Sequence, residues 1–266
     1  MSLDSPTFGL LDEGAGEPVI WLHSSAASKR QWRRILDGLP PGYRFLAIDL
    51  WGYGETPLPA GGEGFSLEDE ADLVERLFER FEGPCRLVGH SYGGAVALKA
   101  AQRQPERIRS VFVYEPVLFH LLRDRADAVA ERAEIEAVAH RTRDLSAAGD
   151  FEGAAETFVR YWSGDAMWDA LSAERRAQLA AFAPKAALDF QALDAETAPA
   201  SAYGPKGVSL RIVAGALSPA PARKVSEILG EAFPGRLQML EGLGHMAPLT
   251  HPEPVRAAIE EHWAEA

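Results

Sequence analysis

A serine lies at the centre of a short glycine-bounded segment that could make it a nucleophile. Residues 89–93 have the sequence GHSYG, which matches G-x-S-x-G between an apolar run and an alanine-rich stretch. A sharp strand-to-helix turn would strain the backbone at Ser91 and require small residues two positions away, which Gly89 and Gly93 provide. The hydroxyl would then lie at a helix N-terminus, where developing negative charge is favoured. An ordinary helix with Ser91 as its N-cap is the alternative.

A base must accept the proton of that hydroxyl, and a histidine with a pKa of about 6.5 is suited to this at neutral pH. The chain contains seven histidines. We predict that His245 is the base, because it follows the last apolar run on a glycine-containing loop, at the same predicted sheet edge as Ser91. Five other histidines have a predicted position. His90 lies within the GHSYG turn, His120 and His140 lie in the central segment, and His251 and His262 lie in the C-terminal helix.

Short apolar runs alternate with helical patterns along most of the chain, which is typical of a parallel sheet with crossover helices. Six runs have the composition of buried strands (19–22, 45–48, 86–88, 111–114, 210–213 and 236–240), and residues 7–11 could form an antiparallel edge strand. Helices are predicted from Ser66, over 91–104 and over 252–263. The sequence therefore predicts an α/β fold, with a mostly parallel central sheet and helices on both faces.

Residues 117–206 interrupt this alternation. The segment is rich in Ala, Arg, Glu and Leu and contains no strand-like run, so we predict several consecutive helices. Because the chain then returns to the same sheet, we interpret 117–206 as a helical cap inserted into a core formed by 1–116 and 207–266.

The composition limits the classes of partner. Acidic residues outnumber basic ones 39 to 27, for a net charge of −12, which argues against binding nucleic acid or an anionic membrane. No apolar stretch reaches the roughly 20 residues of a membrane span, and the first six residues show no signal peptide. We expect a cytoplasmic protein that acts on a small molecule; the sequence does not indicate its oligomeric state. Cys85 is the only cysteine and is expected to be buried and inert.

Four motifs, in order and at sensible spacings, resemble the α/β-hydrolase superfamily over nearly the whole chain. They are His23–Ser25 after the first buried strand, Asp49–Gly54, the serine turn, and Gly244–Met246. The resemblance implies that the backbone N–H groups of Ser25 and Tyr92 form an oxyanion hole, because two fixed donors must face the charged oxygen of a tetrahedral intermediate. It also implies that His23 and Asp49 support their loops. This chain has Ser24 where the family usually has glycine.

The third catalytic group departs from the family pattern. The family commonly places an Asp after the penultimate strand, and this chain has Ser218 there, which cannot offset the charge formed on an imidazole. Glu115 would end the strand after the serine-turn helix, as the acid does in some relatives, and we predict that it is the acid. The other candidates are Glu241, Asp194 and Glu196, or a Ser91–His245 dyad assisted by Ser218.

These features predict a serine hydrolase that cleaves an ester-like bond, with lactone or C–C cleavage as variants. Three aromatic residues are predicted to contact a largely apolar substrate, namely Trp51, Phe119 and Trp162. No metal-ligand spacing or phosphate-binding glycine loop is present, so no metal or cofactor is expected. The alternative is a catalytically silent ligand-binding protein with the same fold.

Overall fold

The computed structural model describes residues 8–58 and 64–266, which contain one seven-stranded sheet of order β1-β3-β2-β4-β5-β6-β7. The strands are β1 (Leu10–Gly14), β2 (Gly16–Leu22), β3 (Gly42–Ile48), β4 (Cys85–His90), β5 (Ile108–Tyr114), β6 (Ser209–Gly215) and β7 (Leu237–Leu240). Strand β1 is antiparallel to β3, and every other neighbouring pair is parallel. The predicted fold class is confirmed.

The edge strand is displaced along the chain from its predicted position. Strand β1 begins at Leu10 rather than at Thr7, because Leu10 pairs with Ile48 and the pairing continues to Gly14. Thr7 itself lies outside the described residues, as do the six N-terminal residues in which no signal peptide was found. Within the described ranges, no helix has both the length and the apolar character needed to cross a bilayer.

Eleven α-helices are present in the described part of the chain. They are α1 (Arg33–Leu36), α2 (Leu67–Glu75), α3 (Tyr92–Arg103), α4 (Val129–Ala147), α5 (Phe151–Ser163), α6 (Asp165–Asp169), α7 (Ala173–Ala180), α8 (Ala183–Ala195), α9 (Ala220–Ala232), α10 (Ala247–Thr250) and α11 (Pro252–Glu265). The predicted start at Ser66 is confirmed by a capping box in which Ser66 and Asp69 satisfy each other's backbone groups.

The sheet is buried on both faces, which explains why its strands are continuous apolar runs rather than alternating ones. In β2, Ile20 and Leu22 pack into one core, whereas Val19 and Trp21 pack into the core on the other face. All six residues of β4 are buried, so the strand that leads to Ser91 is held from both sides.

Helices α4 to α8 lie between β5 and β6 in the chain, as the composition of 117–206 predicts. Helix α4 packs on α5 and α8, and α8 also contacts the short 3₁₀ helix Phe119–Leu122 that follows β5. Part of this layer has its own small apolar core, around Ala155, Val159 and Trp168. The division of the chain into core and cap remains a prediction.

Candidate active site

Three residues that follow strands meet at one edge of the sheet. Ser91 follows β4, Glu115 follows β5, and His245 lies on the loop after β7. The Ser91 Oγ lies 3.0 Å from Nε2 of His245, and the Nδ1 of His245 lies 2.6 Å from Oε2 of Glu115. We call these residues the candidate triad. Their order along the hydrogen-bonded chain is that of a nucleophile, a base and an acid.

The backbone is strained at this edge. Three non-glycine residues of the described chain have positive φ, and all three lie at the site: Ala26 at 56°, Ser91 at 55° and Glu115 at 46°. Such conformations cost on the order of 1–3 kcal/mol each and persist only where the surrounding structure holds them. Two of the three strained residues are thus triad residues, at the points where the chain leaves β4 and β5.

Glycines make the turn at Ser91 possible. A Cβ at position 89 would lie 2.4 Å from the carbonyl oxygen of Gly93, and one at position 93 would lie 2.3 Å from that of Leu22. These contacts are with backbone atoms, so neighbouring side chains could not relieve them by moving. A Cβ at Gly94 would lie 3.1 Å from the Cα of Pro116, which is tight but less severe.

Glu115 is fully buried and its second oxygen is also satisfied. Oε1 accepts hydrogen bonds from the backbone N–H of Gly215 at 2.6 Å and from the hydroxyl of Ser218 at 2.5 Å. Both oxygens of this buried carboxylate therefore accept hydrogen bonds. Ser218, at the position where the family usually has an Asp, thus supports a carboxylate that comes from the neighbouring strand.

The other acids considered from the sequence are engaged elsewhere or exposed. Asp194 pairs with Arg123 at 2.7 Å, and Glu196 pairs with Lys99 at 2.9 Å. Glu241 is exposed. Within the described residues, Glu115 is the carboxylate that hydrogen-bonds His245.

The two predicted oxyanion donors are available. In the described part of the chain, neither the backbone N–H of Ser25 nor that of Tyr92 donates a hydrogen bond. Ser24 replaces the usual glycine without strain, because the positive φ of this loop falls at Ala26. The backbone N–H and the hydroxyl of Ser24 both donate to Oε1 of Gln31, at 3.1 and 2.9 Å.

The two predicted loop supports, His23 and Asp49, and also His90, make buried hydrogen bonds to backbone groups. Nδ1 of His23 donates to the carbonyl of Ser24 at 2.7 Å, and burial lowers the pKa of His23 to about 4. Asp49 accepts from the backbone N–H groups of Lys29 and Glu55 at 2.7 and 2.9 Å. His90 donates from Nε2 to the carbonyl oxygen of His245 at 2.9 Å, and burial holds the pKa of His90 well below its usual value.

A cleft of about 630 Å³ leads to Ser91 and His245. Its apolar lining comes largely from the segment between the start of α5 and the start of α8, and from the region from the loop after β7 into α10. It includes Phe158, Val159, Trp162, Met167, Leu171, Leu179, Phe182, Met246 and Leu249. A small inner pocket of about 10 Å³ also borders Ser91, and its lining includes Phe119, Phe158, Trp162, Phe190 and Leu193. This volume is about that of a single water-sized probe.

The structure brings two of the three predicted substrate contacts to Ser91. Phe119 and Trp162 line the inner pocket, and the Trp162 ring lies 4.1 Å from the ring of His245. The buried Nε1 of Trp162 has no hydrogen-bond partner among the described residues. Trp51, in contrast, lies against α2, where its Nε1 donates to the carbonyl of Asp69 at 3.1 Å; it does not line this cleft.

Sequence reasoning missed a buried group of charges next to the oxyanion loop. Glu70 on α2 and Lys185 and Asp189 on α8 are all buried, and the Lys185 ammonium contacts both carboxylates. The available signal was a Lys and an Asp four residues apart in a largely apolar helix, which places both on one face. No cluster of His, Cys, Asp and Glu side chains suited to a metal ion occurs in ranges 8–58 and 64–266.

Comparison with known proteins identifies relatives over part of the chain. A haloalkane dehalogenase from Agrobacterium fabrum is 37% identical over 120 residues, which are 43% of this chain and 39% of that protein. A pimeloyl-[acyl-carrier protein] methyl ester esterase from Aeromonas hydrophila is 31% identical over 146 residues, which are 55% of this chain and 54% of that protein. These matches thus span about two fifths to just over half of the relatives' length.

Solved structures match over nearly the whole chain. The crystal structure of a bromoperoxidase from Bacillus anthracis has a TM-score of 0.76 and 23% identity, and covers 96% of this chain and 94% of that one. At this identity the likeness establishes the fold alone. The model of the alpha/beta hydrolase family matches residues 19–258, which is most of the sequence. The chain therefore belongs to the alpha/beta hydrolase family.

Proposed function

We propose that this protein is a serine hydrolase that cleaves an ester-like bond of a small, largely apolar carbonyl compound through an acyl-enzyme. One observation carries the proposal: the continuous hydrogen-bonded chain from Ser91 through His245 to Glu115, at 3.0 and 2.6 Å. A serine hydroxyl becomes an effective nucleophile when a positioned base accepts its proton, and the base needs a third group to orient it.

In the first half of the reaction, Ser91 Oγ attacks the carbonyl carbon and its proton passes to Nε2 of His245. Glu115 accepts the Nδ1–H of His245, which selects the tautomer that leaves Nε2 free and stabilises the imidazolium that forms. The oxyanion accepts hydrogen bonds from the backbone N–H groups of Ser25 and Tyr92. Collapse of this intermediate breaks the bond to the leaving group, which takes the proton from His245.

In the second half, water replaces the leaving group. His245 accepts a proton from water, the resulting hydroxide attacks the acyl carbon, and a second oxyanion forms in the same place. Collapse returns the proton to Ser91 Oγ and releases the acid. These steps use side chains and backbone groups of this chain alone, so the prediction that no metal or organic cofactor takes part is retained.

The relatives include enzymes of several reaction types. The esterase among them is named for the chemistry proposed here, whereas the haloalkane dehalogenase is named for displacement of a halide. Displacement at saturated carbon in this superfamily calls for an attacking carboxylate, and the turn after β4 presents Ser91. Lactones and β-diketone-type C–C bonds would pass through the same tetrahedral intermediate, so they belong to the proposed range of substrates.

The shape of the site limits the two groups that flank the carbonyl. One group can extend into the cleft of about 630 Å³, whereas the other faces the inner pocket of about 10 Å³, which is lined in part by aromatic rings. We therefore propose that at least one of the two flanking groups is as small as a methyl. The apolar lining of the cleft favours an alkyl or aryl group on the other side.

Labelling with a fluorophosphonate tests the nucleophile directly. The probe phosphonylates an activated serine, so wild-type protein is expected to be modified at Ser91, with the site read by peptide mass spectrometry. Ser226→Ala removes a buried serine hydroxyl that bonds only a helix carbonyl, and this variant should label at the wild-type rate. Absence of labelling in folded wild-type protein would favour the catalytically silent alternative.

A matched ester panel tests the substrate. We expect hydrolysis of acetate esters of hexanol and of methyl esters of hexanoic acid, and at least tenfold lower kcat/KM for hexyl hexanoate, which is large on both sides. A lactone series of the same carbon number separates ester from lactone preference. Equal rates for the three esters would contradict the proposed limit on size.

A further inference from the structure

The group of buried charges beside the oxyanion loop joins two layers of the molecule. We call Glu70, Lys185 and Asp189 the lysine cluster. The Lys185 ammonium donates to Oε1 of Glu70 at 2.9 Å and also bonds Oδ1 of Asp189, and all three residues are at most 2% exposed. Glu70 belongs to α2 and the other two to α8, so the cluster ties a helix of the segment between β5 and β6 to the layer around the sheet.

One acid of the lysine cluster binds the side chain of Ser25, whose backbone N–H is the first predicted oxyanion donor. Oδ2 of Asp189 accepts the hydroxyl of Ser25 at 2.5 Å and that of Tyr53 at 2.6 Å. Asp189 also lines the inner pocket beside Ser91. Ser25 precedes Ala26, whose positive φ sets the direction of the loop. A side chain fixed by a buried carboxylate restrains rotation of its own backbone, and therefore the direction of its N–H.

The other acid binds the side chain of Tyr92, whose backbone N–H is the second predicted oxyanion donor. The hydroxyl of Tyr92 donates to Oε1 of Glu70 at 3.3 Å, and Lys185 Nζ lies 4.7 Å from the centre of the Tyr92 ring. A cation above an aromatic face is attracted by the ring, more strongly when both are desolvated. Tyr92 is the first residue of α3, so fixing its ring also fixes the start of that helix.

Stability alone does not account for this arrangement. The lysine cluster buries one positive and up to two negative charges, and burial raises the pKa of both Glu70 and Asp189. Replacing buried ion pairs by well-packed apolar side chains is often neutral or stabilising, and the best-attested use of such groups is to specify one geometry. Here the geometry specified is that of Ser25 and Tyr92, the two residues predicted to supply the oxyanion donors.

We propose that the lysine cluster is a positioning device for the oxyanion hole, and that Lys185 and Asp189 on α8 couple the helical segment to transition-state stabilisation. This role rests on the proposed hydrolase function. None of the three residues touches the reacting atoms; they act through Ser25 and Tyr92. The expected signature is a loss of affinity for the transition state with little change in affinity for the substrate.

Kinetics and inhibitor binding on paired variants test the role. Ser25→Ala removes the hydroxyl that bonds Asp189 but keeps the backbone N–H, and Asp189→Asn keeps the shape of the cluster while removing its charge. Each is assayed with p-nitrophenyl acetate and with two inhibitors. Phenylboronic acid forms a bond from boron to Ser91 Oγ as the serine proton passes to His245, and one boronate oxygen occupies the oxyanion position. 4-Nitroacetanilide resembles the bound ester.

For Ser25→Ala and Asp189→Asn we expect kcat to fall about tenfold with KM nearly unchanged, less than the roughly 10²- to 10³-fold loss when an entire donor is removed. The Ki of phenylboronic acid should rise by the same factor, and that of 4-nitroacetanilide by less than about twofold. The double variant should lose little more than either single one, because both changes break the same contact.

A second buried lysine provides the matched control. Lys99 also bridges two acids, Glu68 at 2.6 Å and Glu196 at 2.9 Å, but neither acid contacts Ser25 or Tyr92. Lys185→Met should show the transition-state signature and Lys99→Met should not, with circular dichroism confirming folded protein for each. If Lys185→Met does not fold, Ser25→Ala and Asp189→Asn still carry the test.

The outcomes separate the two proposals. Wild-type protein that neither labels with fluorophosphonate nor hydrolyses esters would overturn the hydrolase function and this role with it. Active wild-type protein whose Ser25→Ala and Asp189→Asn variants keep the wild-type Ki for phenylboronic acid would overturn the positioning role alone. Equal weakening of both inhibitors would also overturn it, since that result indicates a general change in the cleft.

Discussion

The candidate triad and the lysine cluster are both buried, charged and close to Ser91, but they are assembled differently. Each triad residue follows a strand of one sheet, so the hydrogen-bonded register of parallel strands brings the three residues to a common edge. The lysine cluster combines one residue of α2 with two residues of α8, which is more than 100 positions further along the chain. Its geometry depends on side-chain contacts between two helices that are distant in the sequence.

This difference in assembly determines which property of the protein a substitution in each group is expected to change. Strand ends in a sheet buried on both faces are held by a continuous ladder of hydrogen bonds, so the backbone of the triad can sustain positive φ at Ser91 and Glu115. The lysine cluster is held by a few contacts between helices and by its own charges. We therefore expect triad changes to affect chemistry most, and cluster changes to affect both chemistry and folding.

The largest effect is expected from removing the nucleophile. Ser91→Ala should lower kcat for p-nitrophenyl acetate by about 10⁵- to 10⁶-fold, as loss of the serine does in other triads, while the free energy of unfolding stays near that of wild type. Initial rates at saturating substrate, together with urea unfolding, measure both quantities. A residual kcat within 100-fold of wild type would show that Ser91 is not the nucleophile.

The next effect concerns the identity of the acid. Glu115→Gln should lower kcat by about 10³-fold or more, because a neutral amide cannot offset the imidazolium charge. Ser218→Ala should cost less than about tenfold, since the backbone N–H of Gly215 still donates to Glu115 Oε1. Steady-state rates of the two variants, prepared in parallel, test this ranking of kcat losses. A larger loss of kcat for Ser218→Ala than for Glu115→Gln would show that Glu115 is not the catalytic acid.

A smaller effect, on folding, compares the two buried lysines. Lys185→Met leaves two carboxylates buried without their cation and should lower the free energy of unfolding by about 3 kcal/mol. Lys99→Met should cost about 1 kcal/mol, because Glu68 is about half exposed and can be solvated, and the buried Glu196 still accepts two backbone N–H groups. Urea unfolding of both variants measures the difference. Equal losses would mean that the lysine cluster is no more tightly organised than an ordinary partly buried ion pair.

The smallest effect is a pH dependence of stability that arises outside the candidate triad and the lysine cluster. His262 on α11 is buried with neither ring nitrogen hydrogen-bonded among the described residues, and burial, followed by the charges of Arg211 and Arg86, lowers its pKa to about 4. In the unfolded chain the pKa is about 6.5, so the unfolded state binds the proton more readily. This contribution to stability is complete above pH 6.5 and is lost as the pH falls toward 4.

Wild-type protein should therefore lose more stability between pH 7 and pH 4.5 than His262→Phe, by about 2 kcal/mol. Urea unfolding at the two pH values measures this difference, and other buried histidines such as His23 contribute equally to both proteins. The same pH series of kcat should be alike for the two proteins. A stability difference that does not change with pH would show that His262 titrates normally.

Much of the fold followed from short-range patterns. The apolar runs at 45–48 and 111–114 lie within β3 and β5, because strands buried on both faces must be apolar throughout. Strand ends were less well predicted: β2 begins at Gly16 rather than at Val19, since pairing with β3 extends over residues that are not apolar. Trp51 was assigned to the substrate from its type and neighbours, but its ring is held by the carbonyl of Asp69 on α2.

What the sequence alone determined is the set of groups that must come together at a strand edge. The glycines around Ser91, the loop at His245 and the glutamate after β5 could be predicted because each follows a recognisable strand, and parallel strands end at the same edge. The tertiary structure decided what depends on distant packing: that Ser218 supports Glu115, and that Lys185 and Asp189 reach Ser25 and Tyr92. The spacing of four residues between Lys185 and Asp189 places both on one face of α8, but the residues that this face meets are decided by tertiary packing.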